Sequence, residues 1–393
     1  MSPNKTRYIS ARYVLVGDNL LKKGIVTVDP DGVIVKVEDT GGDLRESRCI
    51  EFFNGILIPG FVNCHCHLEL SAFKGVVPEK TGLPEFLAAM RDSSGYPKNI
   101  DSMVKADRAM YDQGIELCGD ICNSKDTFPV KTEGRVKYHN FIELFGSLPK
   151  VADARIADAM EIMAASAAAS LPFSVTPHSV YSVSLPLMRK IKELGKDNVV
   201  SSIHFMESAT EREYVNYRSG EMADSFRADG FFPEEGFGYE DHIAAIGEGI
   251  TEDSNLILVH NTFVDPDTVF TMVKRPNTYW CLCPNSNLYI EGVLPPLKML
   301  LDNGAEIVIG TDSLASNNRL SILEELKTLQ QAFPELTVTR LVGWATINGA
   351  RALCGDDQFG TIEAGKRPGL LLLEGMDLVN RRFLPGTTVR RIV

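Results

Sequence analysis

Residues 56–75 read ILIPGFVNCHCHLELSAFKG. An apolar run and the Pro59-Gly60 pair lead into a short strand-like segment, and two histidines follow, one residue apart. Alternate residues of a strand face the same side. His65 and His67 therefore project together near the end of a strand, just before a loop. Two imidazoles so placed can chelate one metal ion, and zinc, iron and nickel suit them. Two unrelated histidines on a half-buried strand would give the same pattern, so the rest of the chain has to decide.

Working outward, short apolar strands alternate with helical patterns, which argues for β-α units and a parallel sheet. Eight candidate strands start at Ile56, Ile115, Val136, Pro172, Val199, Leu256, Tyr279 and Glu306. Helical segments fall between most of them, the clearest being the Ala-rich run from Val151, with Arg189–Leu194 and Leu320–Ala332 beside it. This is the pattern of an α/β protein with a (β/α)8 TIM barrel over residues 56–357, whose active site lies at the C-terminal ends of the strands. Residues 1–55 and 358–393 hold short β-branched runs separated by Gly, Asp and Pro turns. Neither end is large enough for a good core alone. The expectation is that both termini pair into one small composite β-sandwich. Two connections, 68–114 and 207–255, exceed the usual loop length and read as insertions at the barrel mouth.

Composition narrows the function. The chain has 393 residues, 44% of them hydrophobic and 23% charged, an ordinary globular balance. A formal charge of −12 without a basic stripe argues against nucleic acid as partner. No apolar run approaches the ~20 residues of a membrane helix, and the N-terminus lacks a signal peptide's apolar core, so a cytoplasmic location is expected. The eight cysteines include no C-x-x-C spacing and read mostly as small buried hydrophobes.

The seven histidines are unevenly placed. His65, His67, His178, His204 and His260 lie at the C-terminal ends of proposed strands one, four, five and six. The last strand runs EIVIGTDS and ends in Asp312, where a buried carboxylate is costly unless paired or metal-bound. Asp312 could alternatively cap a following helix with Ser313. A helix cap does not explain where the histidines collect. Three nitrogen ligands (His65, His67, His204) and one oxygen (Asp312) leave a coordination position for water, as in catalytic zinc sites. A metal lowers the pKa of that water from about 15.7 toward ~7. Glu207, three residues past His204, can move a proton from the water to a substrate nitrogen, although a carboxylate in a helix's first turn is also common. His260 can orient the attacking water and stabilise developing charge; an isolated core histidine is the alternative. His178 could bind substrate. His139 reads as packing, and His242 as surface or part of a lid.

In this order, His65-x-His67, His204 with Glu207, His260 and Gly310-Thr311-Asp312-Ser313 resemble the amidohydrolase superfamily, and within it the cytosine deaminase-like aminohydrolases. PGFVNCHCH is similar to the superfamily's first-strand signature, TPHSVYSVS to the group's fourth strand, and CPNSNLYI from Cys283 to its seventh. GTIEAGKRPGLLLL resembles the returning strands of the composite β-sandwich, with Gly369 where an acidic residue is usual. The resemblance implies that His65, His67, His204 and Asp312 are metal ligands for one divalent ion, zinc ahead of iron. It implies that Asp312 also takes part in proton transfer, that Glu207 is the proton shuttle and that His260 activates the attacking water. His178 and Asn287 would line the substrate pocket. HLELSAFKG is most like the aminofutalosine deaminases and would put Glu69 near the substrate. The implied activity is hydrolytic deamination of an amino-substituted, purine- or nucleoside-like heterocycle by an enzyme whose commonest assembly is a homodimer. Cyclic amide opening or dechlorination on the same site, or a non-catalytic binding role, are the alternatives. His67-Leu68-Glu69 also spells the H-x-E of the nucleic-acid zinc deaminases, but the P-C-x-x-C that they require is missing.

Overall fold

The computed structural model describes residues 5–44, 49–92 and 99–393. Residues 93–98 of the first long connection lie outside the described residues. The chain separates into two compact units: Met1–Asn63 with Arg108–Cys118 and Ser321–Val393, and Cys64–Asp107 with Gly119–Leu320.

The first unit is built on strands from both ends of the chain. β1 (Arg7–Val16), β2 (Asn19–Lys22), β3 (Ile25–Val28), β4 (Ile34–Glu38) and β5 (Ile50–Pro59) come early. Much later strands Leu370–Glu374 and Thr388–Arg391 join them in one seven-stranded hydrogen-bonded sheet. β1 pairs parallel with β5 and antiparallel with β3, and Leu370–Leu373 pair antiparallel with Pro59–Ile56. Alternate residues bury one face, so Ile9, Val14, Val26, Val28, Leu57, Ile362, Leu370 and Leu372 form a shared core. The run from Ile56, read in the sequence as one barrel strand, is two strands. It breaks at Gly60, whose amide donates to Pro368 O at 3.0 Å and where an added Cβ would lie 2.5 Å from that same oxygen. Ile56–Pro59 belongs to the terminal sheet, and the next strand starts at Phe61.

The barrel strands are β6 (Phe61–Cys66), β7 (Ile115–Cys122), β8 (Lys137–Leu144), β9 (Phe173–Pro177), β10 (Val200–Phe205), β11 (Asn255–His260), β12 (Thr278–Leu282) and β13 (Glu306–Ile309). They form two four-stranded sheets, in the orders β6-β7-β8-β9 and β10-β11-β12-β13. Parallel bridges Ser179↔His204 and Cys66↔Asp312 link the sheets at the two seams, so the eight strands run in cyclic order. Six of six residues are buried in both β6 and β10, as expected for parallel strands covered on both faces. The last two strands of the chain, Leu370–Glu374 and Thr388–Arg391, are β14 and β15.

Candidate active site

The expected ligands come together at the C-terminal ends of β6, β10 and β13. His65 Nε2 and His67 Nε2 converge to 3.1 Å. Asp312 Oδ1 lies 3.6 Å from the first and 3.5 Å from the second. Ligand atoms of His65, His67 and His204 all fall within 4.8 Å of one another. His204 Nδ1 donates to His178 O at 2.8 Å, which leaves its Nε2 lone pair free to ligate. Asp312 caps no helix. It sits in the left-handed region (φ 57°), and its Oδ2 accepts the hydroxyls of Ser286 and Ser316, both at 2.6 Å.

The charge states suit a cation. Burial lowers the pKa of His65 to about 4 and that of His260 to about 3, and takes His67 and His204 down as well. Burial alone would raise Asp312, but the hydrogen bond with His65 and the nearby imidazoles hold it well below the usual carboxylate range. Neutral imidazoles and an ionised carboxylate are the forms that bind divalent ions. The donor set therefore fits one such ion.

Glu207 follows β10 by two residues and is buried. Its Oε1 lies 3.5 Å from His260 Nε2. Burial, then the charges of Asp312, Glu211 and Glu291, raise its pKa well above the ordinary value. Proton carriers are tuned in this direction. His260 and Asn261 end β11 in the left-handed region (φ 77° and 58°), with Asn261 Nδ2 donating to Leu258 O at 2.8 Å. Such backbone is sparsely populated outside glycine and collects at functional sites. His67, His204, Glu207, His260 and Asp312 open onto a cavity of about 710 Å³, within the size range of small-molecule sites. Its outer wall is apolar, with Leu83, Phe86, Met90, Phe145, Phe226 and Phe231.

The remaining predicted residues divide. Glu69 and His178 line the cavity. Glu69 accepts from Ser124 Oγ at 3.2 Å, and His178 Nδ1 meets the hydroxyls of Ser179 and Ser182 at 2.9 and 2.8 Å. Asn287 is buried behind His260, with its Nδ2 donating to Thr262 Oγ1 at 2.6 Å, and it does not line the cavity. His139 packs inside, its Nε2 2.9 Å from Ser174 Oγ. His242 is not at the surface: it starts the helix His242–Gly249 at 1% exposure, 3.1 Å from Glu211. The polar run around it belongs to the helix cap, where Asp241 accepts from Ala244 N, while the ring packs edge-on to Phe205.

Sequence reasoning missed Glu143. It is the next-to-last residue of β8, lines the cavity and accepts from Asn123 Nδ2 at 3.2 Å, and burial pushes it up to about 8. A carboxylate set between apolar residues near the end of a proposed strand was the available signal. The reasoning also missed Asp120, which accepts the Leu68 amide at 2.8 Å and pairs with the equally buried Lys131 at 2.6 Å, so bracing the turn after His67.

Residues 56–385 match the Amidohydrolase family. Among characterised relatives, a 5'-deoxyadenosine deaminase of Methanobrevibacter smithii is 26% identical over 90% of this chain and 80% of its own. Among solved structures, aminofutalosine deaminase of Helicobacter pylori in complex with methylthio-coformycin superposes with a TM-score of 0.78 at 24% identity, covering 93% of this chain and 92% of that one. An adenosine deaminase from Xanthomonas campestris with bound zinc gives a TM-score of 0.72 at 21% identity, covering 96% and 86%.

Proposed function

Because the chain belongs to the amidohydrolase family, we propose that it is a metal-dependent hydrolytic deaminase of an adenosine-like nucleoside, releasing ammonia from the ring carbon that bears the amine. The observation that carries this reading is the Glu207–His260 pair, set 3.5 Å apart beside the four-residue ligand cluster at the floor of the cavity. His65, His67, His204 and Asp312 would hold one divalent ion, which we take to be zinc, the ion bound in the Xanthomonas campestris structure. When bound, that ion supplies Lewis acidity and makes a coordinated water far easier to deprotonate. Glu207 takes the water proton at its carboxylate and delivers it to the ring nitrogen next to the reacting carbon, then assists departure of the amine. His260, kept neutral by burial, orients the attacking water through Nε2. Asp312, whose Oδ2 accepts two serine hydroxyls, takes the hydroxyl proton of the tetrahedral adduct and passes it to the departing amine, which leaves as ammonia. The apolar wall excludes water, and Glu69 and His178 meet the polar edge of the substrate. Residues 56–357 carry this chemistry in our reading, and the composite terminal domain supports it. Among the described residues no helix is long and apolar enough to cross a membrane, and we place the enzyme in the cytoplasm.

The test is ammonia release by zinc-replete protein from adenosine, 5'-deoxyadenosine, aminodeoxyfutalosine, adenosylhomocysteine, guanine and cytosine. Turnover of one or more of the adenosine-type nucleosides is expected. Ammonia from guanine or cytosine alone would keep the chemistry and change the substrate class. Silence toward all six with zinc bound would reject the deaminase reading.

A further inference from the structure

The helix that follows Glu207 begins Ser208-Ala209-Thr210-Glu211. Ser208 caps it, with Oγ accepting the Glu211 amide at 3.0 Å. In the usual capping box the carboxylate three residues on returns to the amide of the cap residue itself. Here it reaches further. Glu211 Oε2 accepts the Glu207 amide at 2.7 Å and Oε1 accepts the Met206 amide at 3.2 Å. Those amides belong to the turn that leaves β10, where Met206 is left-handed (φ 47°). The Glu211 side chain has no exposed surface, and a third donor reaches it from far along the chain: His242 Nε2, 3.1 Å from Oε1. A carboxylate only accepts, so Nε2 carries the proton. Three donors thus converge on the two oxygens of Glu211.

We propose that Glu211 and His242 are positioning residues for Glu207. Together they fix the backbone from which Glu207 reaches toward His260, and they tie the start of the second long insertion to its later part. The proposal rests on the reading of Glu207 as proton carrier. Ser208 already caps the helix, and the Glu211 contacts lie outside it, on the strand side. Helix stability therefore does not explain them. Geometry does: a displacement of about 1 Å at a reacting group costs roughly 100-fold in rate.

The experiment compares Glu211→Gln, His242→Gln, His242→Leu and Glu207→Gln in the full-length zinc-loaded chain. Metal content, Tm, hydrogen exchange over residues 203–212, and kcat and KM with adenosine and 5'-deoxyadenosine are read for each. Glutamine keeps the size of Glu211 but turns an NH2 group toward one of the two amides. Glu211→Gln is expected to speed exchange at Met206 and Glu207 by about tenfold and to lower kcat by roughly 10- to 100-fold, with KM nearly unchanged and zinc retained. His242→Gln keeps a donor and should stay near wild type, whereas His242→Leu should fall between. Wild-type exchange and kcat in Glu211→Gln would overturn the proposal, as would a kcat loss matched by loss of zinc or a global drop in Tm. If Glu207→Gln stays active, the role of Glu207 fails instead, and the exchange data still decide whether Glu211 holds the turn. If neither nucleoside is turned over, those exchange data decide alone: faster exchange in Glu211→Gln supports the clamp and unchanged exchange rejects it.

Discussion

Glu207 shows how position sets chemistry at the scale of one side chain. Burial among other carboxylates raises its affinity for a proton, and burial keeps His260 beside it neutral. Glu207→Gln keeps the shape and removes the exchangeable proton. We expect kcat to fall by about a thousandfold, near the upper range for general acid–base groups, with zinc content unchanged by metal analysis; residual activity above a tenth would remove Glu207 from its role. His139 offers a test independent of the metal. Burial lowers its pKa from 6.5 to about 4. The unfolded chain then takes up a proton between those values that the folded chain refuses, so this group makes the protein less stable as pH falls through the window. His139→Gln keeps a partner for Ser174 and removes the titration. Plots of Tm against pH should be flatter for the variant between pH 6.5 and 4, and parallel curves would contradict this. At this scale the gathering of His65, His204 and Asp312 was legible, because it was written in residue type at strand ends. It was not legible where burial alone decides. His242 sits in a polar run yet is 1% exposed, and nothing local says that its partner lies 31 residues earlier.

At the scale of the element, the proposed ligands owe their convergence to close backbone approach. β13 is followed by Gly310, whose amide donates to Leu282 O at 2.9 Å. A Cβ there would lie 2.9 Å from His65 Cβ and from the Sγ atoms of Cys281 and Cys283. Gly310→Ala should therefore push on His65 directly. We expect a loss of about 1–3 kcal/mol from overpacking, together with zinc affinity weakened more than tenfold, measured by competition with a chromogenic chelator. Unchanged affinity would show that the cluster adapts. The strands themselves were largely readable, because parallel strands buried on both faces write near-continuous apolar runs. Their ends were less so. The run from Ile56 is apolar throughout, and only the close approach at Gly60 divides it between two sheets.

For the whole molecule, the terminal sheet is the least local feature. β14 pairs with β5 some three hundred residues earlier, and Leu372 faces Leu57 with both fully buried. Leu372→Ala should cost about 2–5 kcal/mol, seen as a lower midpoint in urea unfolding of the zinc-loaded protein. A change under about 1 kcal/mol would mean that this core is soft. That strands from the two ends belong in one sheet was legible from their matching texture and small size. Their register was not, since alternation alone leaves the pairing partner open.

The seam between β6 and β13 has a consequence in time. Cys66 and Asp312 are bridged across the ring, yet 246 residues (312 − 66) separate them along the chain. During synthesis His65 and His67 leave the ribosome early and must wait for almost the entire barrel before their carboxylate partner exists. A ribosome-stalled chain ending at residue 300 lacks Asp312 and the strand that carries it. The proposed cluster of His65, His67, His204 and Asp312 can therefore be completed only after the last barrel strand has been made.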